Sequence, residues 1–250
     1  MNYPALVSGI LLRRYKRFLA DIELEDGREV VAHCPNTGSM RAVNAPGCRV
    51  WLSPSTNPAR KLAWTWELIE LPDRNGDIDW VSVHTGRANA LVEEALLAGA
   101  IPELAGFSEL KREVGVEGAR LDFRLSAPPG RDTFVEVKQV TLQESDGHGY
   151  FPDSVSERGR RHLDVLADLA DQGHRSVLLF CVAHTGIDDV APAAHLDPAY
   201  ARTLQAVSER GVEILAYGCR VMRRSGRPEA MMLNRRLSID LDRRWSAKPL

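Results

Sequence analysis

Three side chains have the types and spacing that metal-assisted phosphodiester hydrolysis requires. Asp122 lies in Arg120-Leu121-Asp122-Phe123, and thirteen residues separate it from Glu136 in Glu136-Val137-Lys138. In a strand, side chains two apart share a face. Glu136 and Lys138 therefore point one way, while Val135 and Val137 point into packing on the other side. A hairpin can bring Asp122 opposite Glu136. Two carboxylates a few ångströms apart hold a hard cation such as Mg2+ or Mn2+, and Mg2+ takes oxygen ligands at about 2.0–2.1 Å. A lysine beside them can orient the attacking water, and the metal lowers that water's pKa. The bland reading of Glu-x-Lys is a solvated ion pair on an amphipathic strand, so the surrounding elements must decide.

Those elements have the required order. Residues 89–98 (NALVEEALLA) read as a short helix ended at Gly99. It offers Glu93 and Glu94 as a further acidic ligand. Both lie outside the arc of Leu91, Val92, Ala95 and Leu96, so periodicity does not choose between them. Residues 109–114, 120–126 and 133–140 read as strands, and 153–171 as a long helix ended at Gly173. Residues 176–183 (SVLLFCVA) are apolar throughout and suit a central strand. Asp197 and Pro198 are the N-cap and first position of another helix. Gly211 ends it, and 212–217 form a further strand. The expectation is an α/β mixed sheet with flanking helices. Its αβββαβ order, with Asp…Glu-x-Lys on the hairpin, is the context of restriction-endonuclease-like nucleases.

The first eighty residues differ. Strands are expected at 7–15, 18–25, 28–33, 49–53 and 61–71, with Asp26-Gly27 as a hairpin turn. About five short strands without a helix suggest a small OB-like β-barrel. The polar stretch 72–77 is either a hairpin tip or the boundary, which is placed near Val83. The division is thus 1–82 (OB-like barrel, candidate DNA-binding domain), 83–241 (nuclease-like domain) and 242–250 (basic C-terminal tail). In the first strand Arg13, Tyr15 and Arg17 share one face, and Arg14 and Lys16 the other. Guanidinium groups flanking a ring suit phosphate contact and base stacking. With Arg60 and Lys61, these are the candidate DNA-binding residues. They lie far along the chain from Asp122, so binding and chemistry are expected to separate, with affinity from phosphates and no sequence readout.

Composition excludes other classes. Net charge is −2, yet residues 1–62 hold nine basic against five acidic side chains, and the chain beyond Tyr217 is also basic. That permits local nucleic-acid contact. No run of eighteen apolar residues suggests a membrane span. Pro4 and Gly9 interrupt the apolar start and the basic cluster follows it, the reverse of a secretory signal, so a cytoplasmic protein is expected. Cys34, Cys48, Cys181 and Cys219 are scattered, which suggests reduced thiols and neither zinc nor disulfides. Nucleotide-binding glycine loops and a Gly-x-Ser-x-Gly elbow are absent. His33 and Cys34 are neighbours in a strand and face opposite ways, so they are not read as a nucleophile pair.

Longer motifs carry a family resemblance. Residues 14–21 (RYKRFLAD), 33–40 (HCPNTGSM), 61–67 (KLAWTWE) and 89–95 (NALVEEA) are similar to motifs of the SfsA (sugar fermentation stimulation protein A) family. So are Arg120-Leu121-Asp122-Phe123, Val135-Glu136-Val137-Lys138, Phe151-Pro152-Asp153, Arg158-Gly159 and His162-Leu163. The resemblance covers about residues 4–240. It implies an OB-type domain followed by a PD-(D/E)xK domain, and DNA binding without sequence specificity. It also favours Glu94 over Glu93. Gln139 stands where Asn is usual, and Ala88 where Pro is. The expected site is Asp122, Glu136, the Val137 carbonyl and Glu94 around Mg2+ or Mn2+, with Lys138 positioning water. The alternative is a non-catalytic DNA-binding regulator of sugar (maltose) metabolism, because such folds can keep binding and lose chemistry.

Overall fold

The computed structural model describes residues 1–57, 59–73 and 75–246. The last four residues of the basic tail lie outside the described residues.

Five strands close a barrel: β1 (Val7–Tyr15), β2 (Leu19–Leu24), β3 (Glu29–His33), β4 (Arg49–Pro54) and β5 (Trp64–Pro72). Their order is β3-β2-β1-β4-β5, and β3 pairs back onto β5 to complete the ring. Alternation explains the interior. In β2, Ala20, Ile22 and Leu24 are buried and Glu23 is exposed, and they meet Leu11, Ala32, Val50, Leu52, Trp66 and Ile69. Asp26-Gly27 makes the expected turn: Gly27 has φ +81°, and the Asp26 carboxylate accepts the Arg28 N–H.

The barrel departs from expectation in two places. First, β1 ends at Tyr15, and Lys16 and Arg17 turn through φ 48° and 65°. Arg17 therefore does not continue the face of Arg13, since strand alternation stops before it. Second, the polar stretch before Ile78 is a hairpin tip that leads into β6 (Ile78–Ser82). This strand was not expected. It extends the sheet beyond the barrel and buries Trp80 and Val81.

The second part begins with α1 (Gly86–Leu97), followed by β7 (Glu109–Val116), β8 (Ala119–Ser126) and β9 (Thr133–Val140). Short β10 (Leu142–Gln143) and β11 (Gly149–Phe151) precede α2 (Glu157–Asp171) and β12 (Arg175–Val182). Then come β13 (Asp189–Pro192), α3 (Pro198–Glu209), β14 (Glu213–Arg224), β15 (Arg227–Arg236) and β16 (Ser238–Ile239). The main sheet has the order β15-β14-β12-β9-β8-β7, with β9, β12 and β14 parallel. Seven of the eight β12 residues are buried, as a central strand between two helix layers requires. Valines 135, 137 and 177 pack toward α1, and Phe134, Leu178 and Phe180 toward α2 and α3.

Asp197 caps α3 by accepting the Tyr200 N–H, with Pro198 at the first position. Helix α2 starts at Glu157, four residues later than expected, because Ser156 caps it by accepting from Gly159. Asp153 is left in a loop. Strand β14 runs past Tyr217 and returns as β15, so part of the basic C-terminal region is a hairpin. A small sheet, β10-β11-β13-β16, was also not expected. Its strands have two to four residues, too few to show alternation. Trp51, Leu68 and Trp80 of the barrel sheet share one apolar cluster with α1. All four cysteines are free. Among the described residues, no helix is long and apolar enough to cross a membrane.

Candidate active site

Strands β8 and β9 are antiparallel neighbours, with Phe123 opposite Val135. Asp122 and Glu136 thereby reach one cavity of about 390 Å3, which Val137, Lys138 and Asn89 also line. Each acid is fixed by its neighbours. Asp122 accepts the Val137 backbone N–H at 2.7 Å on Oδ2 and the Asn89 side-chain amide at 2.6 Å on Oδ1. Glu136 is 3% exposed. Its Oε1 accepts from Lys138 Nζ at 2.6 Å and from Nδ1 of His162 on α2. His162 Nε2 in turn accepts from Arg158 Nε at 3.4 Å. That arrangement puts the ring proton on Nδ1, toward Glu136.

Electrostatics separates the two carboxyls. Burial, and then the charge of Glu136, push Asp122 up to about 6, against the Val137 N–H, Asn89 and Lys138. Burial also acts to raise Glu136, but the His162 hydrogen bond and the Lys138 charge outweigh it and hold the acid below its ordinary value. Near neutral pH the pocket can therefore hold two negative charges. Glu136 Oε2 is buried with no hydrogen-bond partner. A carboxylate with one unpartnered oxygen, lining a cavity that a second carboxylate also lines, fits a hard, oxygen-seeking cation. Asp122, Glu136 and the Val137 carbonyl would hold it. Among the described residues, no cluster of three or more His, Cys, Asp or Glu side chains forms a ready-made metal cage. A Mg2+-type site built from two carboxylates and water needs none.

The acidic residues expected from α1 are elsewhere. Glu94 is half exposed and binds the Met1 ammonium at 2.5 Å, while Glu93 pairs with Arg112 at 3.0 Å. Glu94 does not line the cavity, and the side chain that α1 sends to Asp122 is Asn89. At 100° per residue, Asn89 and Glu94 lie on different sides of the helix.

The barrel supplies the opposite wall through Asn36, Thr37 and Gly38. Here the 33–40 motif has a structural account. The Cys34 thiol is buried and donates to the Asn36 carbonyl at 3.4 Å, and the Asn36 side chain accepts the Gly38 N–H at 2.8 Å. A Cβ on Gly38 would stand 3.0 Å from that side-chain oxygen. Asp153 takes the Ser39 hydroxyl at 2.8 Å and the Met40 N–H at 3.0 Å, and so ties the loop to the second domain.

The basic residues divide. Arg14 is turned inward, where its Nη2 donates to the carbonyls of Arg17, Asn36 and Gly38 at 2.7, 2.9 and 2.9 Å. It organises the loop from these three bonds. Arg13 pairs with Asp21 at 2.7 Å, and its guanidinium lies 5.1 Å from the Tyr15 ring centre. Lys16 and Arg17 are exposed at the turn. Since Arg14 bridges Arg17 and Gly38, that turn sits at the cavity rim. The turn thus borders the loop that walls the cavity, although it lies about a hundred positions from Asp122 in sequence. Arg60 and Lys61 flank an open depression with Phe18, His33 and His84. Sequence reasoning gave no role to His162, Asn89, Arg158 or the 36–38 wall. The signal was their place within long motifs, which does not state which atom each side chain would touch.

A closed five-strand barrel followed by a mixed sheet with Asp122, Glu136 and Lys138 in one cavity defines an OB-like domain joined to a restriction-endonuclease-like domain. The chain belongs to the SfsA family: residues 12–83 match the SfsA N-terminal OB domain, and residues 86–225 the sugar fermentation stimulation protein RE domain. It is 66% identical to a sugar fermentation stimulation protein homolog of Chromohalobacter salexigens, covering 100% of this chain and 99% of that one. A homolog from Shewanella sp. strain ANA-3 is 56% identical, covering 87% and 92%. The structure of Pyrococcus furiosus SfsA in complex with Ca2+ matches with a TM-score of 0.83 at 30% identity, covering 96% of this chain and 98% of that one.

Proposed function

We propose that this protein is a divalent-metal-dependent phosphodiesterase acting on DNA without sequence specificity, in the cytoplasm. The observation that carries the reading is that Glu136, whose Oε2 has no hydrogen-bond partner, lines one cavity with Asp122 and Lys138. The Ca2+ of the Pyrococcus relative supports a site for a hard cation. When bound, Mg2+ or Mn2+ neutralises phosphate charge and acidifies water. The chain's own residues do the rest. His162 and Lys138 fix the Glu136 carboxylate, and Val137 N–H and Asn89 fix that of Asp122. Lys138 keeps donors beyond the one given to Glu136, and these hold the attacking water and the phosphate oxygen. Lys16, Arg17, Arg60 and Lys61 attract the strand to the barrel side of the cavity through phosphate contacts.

The test is incubation of purified protein with plasmid and single-stranded DNA, with and without Mn2+. Cleavage that requires the metal and is lost in Asp122→Ala and Lys138→Ala is expected. Binding with no cleavage in any divalent metal would refute the catalytic reading and leave a DNA-binding regulator of sugar metabolism.

A further inference from the structure

The β14–β15 hairpin outruns its sheet. Strand β12 ends at Val182, level with Gly218, whereas β14 continues to Arg224 and turns back at Arg227. The extension carries Arg220, Arg223, Arg224 and Arg227, all exposed. From Arg220 to Glu229 the only acid is Glu229, which pairs with Arg224 at 3.2 Å. Arg223 reaches toward the Trp80 ring, 5.5 Å from its centre. Arg224 and Arg227 stand directly opposite each other in register. Like charges so placed destabilise a hairpin, and residues 222–227 are all exposed, so burial does not offset them. A chain of net charge −2 has no compositional need for this density of arginine.

Register relates the hairpin to the cavity. Glu136 is level with Leu178, and Leu178 with Ile214; Lys138 is level with Phe180, and Phe180 with Ala216. Alternation along β14 then puts Arg220, Met222 and Arg224 on the same sheet face as Glu136 and Lys138. The extension also lies beyond the C-terminal ends of the parallel strands, the end toward which Lys138 lies. At about 3.3 Å per residue, Arg220 and Arg224 are roughly 20 and 33 Å further along the sheet than Glu136. That is the length of about six to ten nucleotides at 3.4 Å each.

We infer that the β14–β15 extension is a second DNA-binding surface, whose arginines contact backbone phosphates about six to ten nucleotides from the cavity. The contact itself is independent of catalysis; its stated distance from the point of cleavage rests on the phosphodiesterase reading. Arginine suits the role because its planar fork meets phosphate oxygens in pairs.

The experiment compares the full chain with an Arg220→Gln/Arg224→Gln/Arg227→Gln variant and with the corresponding triple Lys variant. Binding to a 30-base-pair and a 6-base-pair duplex is titrated against salt in EDTA. For the long duplex, the triple Gln variant should lower the magnitude of the log K against log[salt] slope by up to about 2.7 and weaken binding about tenfold or more. The 6-base-pair duplex should show little change, and the Lys variant should keep the slope. Metal-dependent hydrolysis of bis(4-nitrophenyl) phosphate should be the same in both variants as in the parent. Unchanged slope and affinity on the long duplex would overturn the inference. So would loss of binding to phosphatidylglycerol vesicles with DNA binding untouched. Hydrolysis absent from the parent protein would refute the phosphodiesterase reading alone, since the slope difference would survive it.

Discussion

The Arg87 guanidinium on α1 grips the Glu67 carboxylate on β5 with two hydrogen bonds, 3.0 Å from Nε and 2.7 Å from Nη2. Glu67 is 1% exposed and also accepts the Ser53 hydroxyl at 2.7 Å. This pair joins the barrel to the second domain beside the apolar cluster that both share. Arg87→Ala leaves a buried, uncompensated charge and should cost about 3–5 kcal/mol, read by urea unfolding. An Arg87→Met/Glu67→Gln double variant should recover much of that loss. Equal destabilisation in the single and double variants would show that the ion pair is not the cause.

Asp122 makes metal-free stability depend on pH. Its carboxyl is raised from 3.8 to about 6, so the folded state holds the proton more tightly than the unfolded chain. The stability that Asp122 contributes is therefore fully present at low pH and lost as pH rises from about 4 to about 6, by up to about 3 kcal/mol. Asp122→Asn should flatten that segment and raise the melting temperature at pH 7.5, but not at pH 3.5. Differential scanning calorimetry in EDTA reads both. Mn2+ affinity of the parent should fall below about pH 6, where the metal competes with the proton.

His162→Ala removes the hydrogen bond that steadies the Glu136 carboxylate, so Mn2+ affinity should fall about 10–100-fold, measured by isothermal titration calorimetry. Glu136 should also become easier to protonate, because that hydrogen bond helps hold its acid low. The drop should therefore widen as pH is lowered.

Arg14 and its neighbours should behave differently. Neutralising Lys16 and Arg17, or Arg60 and Lys61, should lower the salt slope for single-stranded DNA by about 1.4 per pair. Arg14→Ala should leave the slope alone and reduce cleavage, because its guanidinium holds the loop that walls the cavity. A change of slope in Arg14→Ala equal to that in the paired variants would contradict this division.

The parts of the fold that alternation governs were legible in the sequence. Residues 133–140 form β9 as expected, and Val135 and Val137 face the α1 side while Glu136 faces α2. The central strand was readable from its unbroken apolar run. Strand β6 was not, because Ile78 and Asp79 carry no usable pattern and its burial depends on the second domain, through Val81 against His184. That Glu94 lies away from the cavity was not legible, because helix periodicity separates apolar from polar faces but does not say which polar side meets a cavity. The partners of Arg14 were not legible, because strand alternation gives a side chain's direction, whereas three of its four carbonyl partners lie in a loop more than twenty residues on.

The bond between Ser39 and Asp153 spans 114 positions. On a ribosome adding about 5–20 residues per second, the 36–39 loop exists for roughly 6–23 s before its partner is made. The barrel can close in that interval, since all five of its strands precede Asp122. The cavity cannot, because its far wall waits for Asp153 and for the helix that brings His162 to Glu136. A nascent chain would thus hold a folded barrel while the cavity of Asp122 and Glu136 was still unassembled, and that cavity would be completed only as the second half emerged.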